Sequence, residues 1–144
     1  ESHLDHDEIL SKMVQHRMKD ATSALGYATV STAENLEAKC IIAPTGSGAT
    51  ARIISKFHPS MDVLAVSPNA RALRRMQIYW GVRPYESVWQ ETTEAICNGA
   101  TDIAKEKGFV EVGDVTVLTA GIPSPHVGGF DYGVSNMMRI VTIQ

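Results

Sequence analysis

A short apolar run, Cys40-Ile41-Ile42-Ala43, is stopped by Pro44 and followed at once by the glycine–hydroxyl loop Thr45-Gly46-Ser47-Gly48-Ala49-Thr50. A run of that length, half β-branched, reads as a buried strand. Residues 51–57 behind the loop read as a helix halted by His58-Pro59. Strand, glycine turn and helix in succession begin a βαβ unit, and such units commit a chain to a parallel sheet with right-handed crossovers.

The alternation continues. Residues 63–66 read as a second strand, Ser67-Pro68-Asn69 as a turn with helix-start chemistry, and residues 70–79 as a basic helix. Residues 82–88 form a poorer third strand, 91–107 a helix closed by Gly108, and 115–120 a fourth strand. Residues 121–134, rich in glycine and proline, read as a long loop, and 137–143 as a final strand. No helix precedes that strand, so it is expected to run antiparallel at an edge. Upstream, residues 5–19 and 21–38 both carry helical spacing, the second with small residues on one face. The expected fold is a three-layer α/β/α domain over residues 21–144, with residues 1–20 as an entering helix.

Composition narrows function. At 144 residues the chain fits one domain, since a domain takes about 150 residues. Thirteen Lys and Arg against 16 Asp and Glu leave a net charge of −3, without the basic field of a nucleic-acid or membrane-surface binder. Cys40 and Cys97 are too few for a disulfide framework or a four-thiolate zinc site. Cys40 reads as a small buried hydrophobe, and nothing marks Cys97 as a nucleophile. His3, Asp5, His6 and Asp7 have metal-like composition, which a solvated helix start explains more simply; no metal site is expected. The opening at Glu1 with helix-like sequence suggests a piece of a longer protein.

The loop after the first strand carries the functional signal. First-turn N–H groups have no intrahelical partner and the helix dipole favours an anion there, so the loop reads as a phosphate cradle. Thr45, Ser47 and Thr50 add hydroxyls, although Ser47 or Thr50 acting only as a helix cap is an equally simple reading. A triphosphatase loop needs Lys-Ser/Thr after the second glycine, and none is present. Gly46-x-Gly48-x-x-Ala51 fits a dinucleotide turn, but the position of the expected acid holds Ser67-Pro68-Asn69. A free-standing NADP- or nucleotide-binding enzyme, with Arg71 meeting a 2′-phosphate, stays open as the alternative. Arg71, Arg74 and Arg75 otherwise read as a solvated or interface face, and Trp80 as core or domain contact.

Residues 44–59, PTGSGATARIISKFHP, resemble the phosphate-loop signature of the C-terminal domain of pyruvate kinases. Residues 63–69, VLAVSPN, and 71–84, RALRRMQIYWGVRP, are similar to the segments that follow it in that family. Gly108-Phe109-Val110, Gly113-Asp114, Thr119-Ala120-Gly121-Ile122-Pro123 and residues 136–141 continue the match in order. The resemblance implies a five-stranded sheet of order 3-2-1-4-5 with the last strand antiparallel. It also implies a regulatory role: binding a phosphorylated activator, oligomerisation through the final strand, and membership of a cytoplasmic glycolytic enzyme. The parent phosphotransferase would use Mg and K in a separate catalytic domain; neither that site nor a cofactor is expected here.

Carried over from the family, Thr45, Gly46, Ser47, Gly48, Ala49 and Thr50 become the effector phosphate site. Trp89, Gly121, Pro123, His126, Gly128, Gly129 and Tyr132 become the sugar or base contacts of the effector loop. Where eukaryotic members follow the tryptophan by an arginine seven residues on, this chain has Trp89 and Ile96. The lost cation implies a sugar monophosphate or AMP in preference to a bisphosphate.

Overall fold

The structure, a computed structural model, describes residues 20–121, 124–126, 129–131 and 135–144. The helix expected over 5–19 and the His3, Asp5, His6, Asp7 group lie outside the described residues.

Helix α1, Ala21–Asn35, starts where the Asp20 carboxylate accepts the Ser23 N–H at 2.8 Å. Strand β1, Cys40–Pro44, is buried throughout. Helix α2, Ala49–Lys56, begins two residues earlier than its apolar spacing suggests, because Gly48 takes φ +90° and turns the chain directly into the first turn. Strand β2, Asp62–Ser67, leads through the Asn69 cap into α3, Ala70–Met76. That helix ends before Tyr79: successive tight turns, Tyr79 N–H to Met76 O and Val82 N–H to Tyr79 O, reel the chain into the next strand. Strand β3 is Val82–Glu86, and α4, Thr93–Glu106, runs from a Thr92 cap to Gly108 at φ +79°.

Strand β4, Val115–Ala120, is followed by a finding that corrects the sequence reading. The segment expected as loop contains a two-stranded hairpin, β5 (Ser124–His126) against β6 (Gly129–Asp131). Proline and glycine are depleted from strands and masked it. Yet the two-residue separation at Val127-Gly128 is the commonest hairpin spacing. Strand β7, Met137–Thr142, closes the chain.

The main sheet has the order β3-β2-β1-β4-β7, with β7 alone antiparallel. This is the expected order 3-2-1-4-5, the hairpin standing outside it. Alternate side chains go to opposite faces. Ile41, Ala43, Val63, Ala65 and Val117 pack beneath α1, α2 and α3, while Ile42, Leu64, Val66 and Leu118 pack beneath α4. Burying each large apolar side chain contributes about 1.5–3 kcal/mol. Helices α1 and α2 approach closely at Gly26, where a Cβ would sit 2.7 Å from Ile53 Cγ2. At the far end of α2, His58 stacks on Trp80 with ring centres 4.4 Å apart, and Trp80 is 40% exposed, not core.

Candidate functional site

In an open α/β sheet, ligands bind beyond the carboxyl ends of strands where the order reverses. Here that point lies between β1 and β4, from which the 45–50 loop and the segment after Ala120 depart. The loop is anchored by the Thr45 N–H donating to Val66 O at 2.9 Å. Thr45 is buried, and its hydroxyl oxygen accepts the Gly48 N–H at 2.9 Å. Ser47 Oγ accepts the Ala49 N–H at 3.2 Å, so Ser47 is the residue that caps the turn. Thr50 is turned inward, its Oγ1 lying 2.8 Å from Ser135 Oγ. Of the three hydroxyls the sequence groups together, only that of Ser47 belongs to an exposed residue; Ala49 is exposed beside it.

The other side of the crevice is tied to the same frame. The Asn136 N–H donates to Ala120 O at 3.0 Å, and Thr93 Oγ1 donates to the carbonyl of buried Gly121 at 3.4 Å. His126 and Gly129 pair in the hairpin, while Pro123, Gly128 and Tyr132 lie outside the described residues. Trp89 is half-buried in the segment joining β3 to α4. Ile96 is 4% exposed and lines a cavity of about 190 Å³ with Val66, Val88, Gly99 and Ile103.

Two contacts at this edge are not legible in the sequence, where Ser135 goes unnamed and Arg75 reads only as part of a solvated or interface face. Ser135 holds Thr50, and Arg75 reaches from α3 to donate from Nη1 to the Ser47 carbonyl at 3.0 Å. An arginine on a basic amphipathic helix looks like any solvated cation, and the contact spans 28 positions, so no local spacing betrays it.

The family of pyruvate kinase alpha/beta domains matches residues 23–141. The chain belongs to that family. It is 38% identical over 136 residues to the pyruvate kinases of Staphylococcus epidermidis and Staphylococcus aureus. The alignment covers 94% of this chain and 22% of each relative, so the chain spans about a fifth of their length.

At the end of β2 in this pyruvate kinase alpha/beta domain, Ser67 Oγ accepts the Asn69 N–H at 3.1 Å and the Asn69 side chain caps α3, so both polar side chains serve the helix start. Burial, reinforced by Asp62 and Asp114, pushes the Cys40 thiol up to about 12, and burial also raises Cys97, so neither thiol is poised as a nucleophile. Among the described residues no cluster of three or more His, Cys, Asp or Glu could hold a metal ion, and no helix is long and apolar enough to cross a membrane.

Proposed function

We propose that this pyruvate kinase alpha/beta domain is a regulatory module that binds a phosphorylated small molecule at the 45–50 loop. The observation that carries the reading is the turn at the N-terminus of α2, where Ser47 and Ala49 are exposed on either side of buried Gly48, beside the point where strand order reverses. Gly48, at φ +90°, supplies the close backbone approach that an anion site needs. Trp89, Gly121, His126 and Gly129, with Pro123, Gly128 and Tyr132, are assigned to the ligand's sugar or base side.

The preferred ligands are sugar monophosphates or AMP. A second phosphate directed at α4 would meet Ile96, and an unpaired charge there costs several kcal/mol. The parent enzyme would transfer a phosphoryl group from phosphoenolpyruvate to ADP in the cytoplasm, with Mg and K held in its own catalytic domain. Pairing of copies along β7, the antiparallel edge, completes the proposal.

Calorimetry with ribose 5-phosphate, AMP, glucose 6-phosphate and fructose 1,6-bisphosphate tests it. The monophosphates are expected to bind at least as tightly as the bisphosphate. A tenfold preference for the bisphosphate overturns the role given to Ile96. If none binds and Ser47→Ala changes nothing, the loop is only a helix cap.

A further inference from the structure

We propose that Arg75 is the cation of the phosphate site, reading the ligand's charge where α4 offers none. The inference rests on the phosphate reading of the 45–50 loop and adds to it the residue that makes the site select a doubly charged phosphate monoester over a neutral sugar.

Arg75 stands in the last turn of α3, one residue before Met76. Met76 is wholly buried, and its Cγ would lie 3.1 Å from a Cβ on Gly48, so the packing of α3 against the loop fixes where the arginine emerges. From there Nη1 donates to the Ser47 carbonyl at 3.0 Å, one peptide before the Ala49 N–H at the start of α2. A guanidinium carries five donors in a planar fork, so this bond orients the group and leaves the rest of the fork for a ligand. The residue is exposed, and among the described residues no carboxylate pairs with it; the ion pairs described are Arg83 with Asp62 and Arg139 with Glu94.

The surroundings leave its charge uncompensated. Neither α2 nor α3 has an acid in its first turn, where one would ordinarily offset the helix dipole. The positive end of α2 and the guanidinium therefore act on the same small region, and an Arg–phosphate pair is among the stronger hydrogen-bonded contacts in water. Arg74, its sequence neighbour, is also exposed but makes no side-chain hydrogen bond or ion pair with the loop among the described residues, and so serves as an internal control.

The test is calorimetry of the chain with ribose 5-phosphate, with ribose as the neutral counterpart, on wild type, Arg75→Gln, Arg75→Lys and Arg74→Gln. Arg75→Gln is expected to weaken ribose 5-phosphate at least tenfold and Arg75→Lys by a smaller factor, with melting temperatures unchanged and Arg74→Gln within twofold of wild type. Wild-type binding that survives Arg75→Gln within twofold overturns the role of Arg75 and leaves the phosphate loop standing. Equal losses in Arg74→Gln and Arg75→Gln also overturn it, because a general field then explains both. Failure of the wild type to bind ribose 5-phosphate removes the phosphate reading itself. Should Arg75→Gln not fold, Arg75→Lys decides: a loss of threefold or more supports the fork, and no loss overturns it.

Discussion

Thr50 Oγ1 and Ser135 Oγ meet at 2.8 Å inside the protein, joining positions 85 residues apart across the reversal in strand order. The bond ties the first turn of α2 to the chain that leads into β7, so both sides of the crevice share one buried contact. Ser135→Ala leaves the Thr50 hydroxyl buried without its partner, at a cost of about 1–3 kcal/mol. Urea denaturation is expected to show that loss, and Thr50→Val combined with Ser135→Ala to cost less than the two singles added. Strict additivity contradicts a coupled pair.

Gly48→Ala tests the turn itself. The left-handed backbone at φ +90° penalises any Cβ by about 1–2 kcal/mol, and Met76 Cγ stands 3.1 Å away. Lower stability is expected together with weaker ribose 5-phosphate binding. A fully stable alanine variant shows that the turn needs no glycine.

Gly99→Ala goes the opposite way. Gly99 lies inside α4 and lines the cavity, and a Cβ there meets nothing within 4 Å. Alanine relieves the helix-interior glycine penalty, so a gain of about 1 kcal/mol is expected from thermal or urea unfolding.

The buried thiol sets an alkaline limit on stability. The folded Cys40 value lies near 12 against 9.0 for a free thiol, so ionisation favours the unfolded chain. The contribution is intact below pH 9 and is lost progressively as the pH rises towards the folded value. Cys40→Ala is expected to flatten the stability curve above pH 9, and Cys40 to resist iodoacetamide at pH 8. Rapid alkylation of Cys40 in the folded protein contradicts its burial.

Self-association is best probed at Ile140, which is 55% exposed on β7, whereas Met138 packs against the core and its replacement would damage the fold. Sedimentation at micromolar concentration is expected to show a dimer or larger species that Ile140→Lys shifts to monomer. A monomer in both removes the interface.

The parallel core was legible in the sequence because its signals are local. The run at Cys40–Pro44 and the helix start at Asn69 declare themselves within a few positions, whereas the helix read from residue 91 in fact starts at Thr93 behind its Thr92 cap. The hairpin at Ser124–Asp131 was hidden, since its strands are short and built from residues that normally break strands. At the candidate site, spacing found the loop but not the direction of its side chains. Thr45 and Thr50 turn inward because buried acceptors and donors must be satisfied, and that requirement is met by Gly48 and by distant Ser135. The Arg75 contact with Ser47 is invisible for the same reason: it is set by how α3 crosses the loop, not by neighbours in sequence.

The imidazole of His58 lying flat on the Trp80 indole gives the protein a built-in optical label. The chain has two tryptophans, and they stand at different places: Trp80 next to His58 beyond the C-terminus of α2, and Trp89 in the segment leaving β3. Trp80 emission therefore responds to any change in the His58 stack. Trp89→Phe leaves a single-tryptophan protein whose light reports the C-terminal end of α2, and Trp80→Phe leaves one whose light reports the segment leaving the carboxyl end of β3. Events at the crevice and events at the opposite end of the helix can thus be watched in separate channels without attaching a dye.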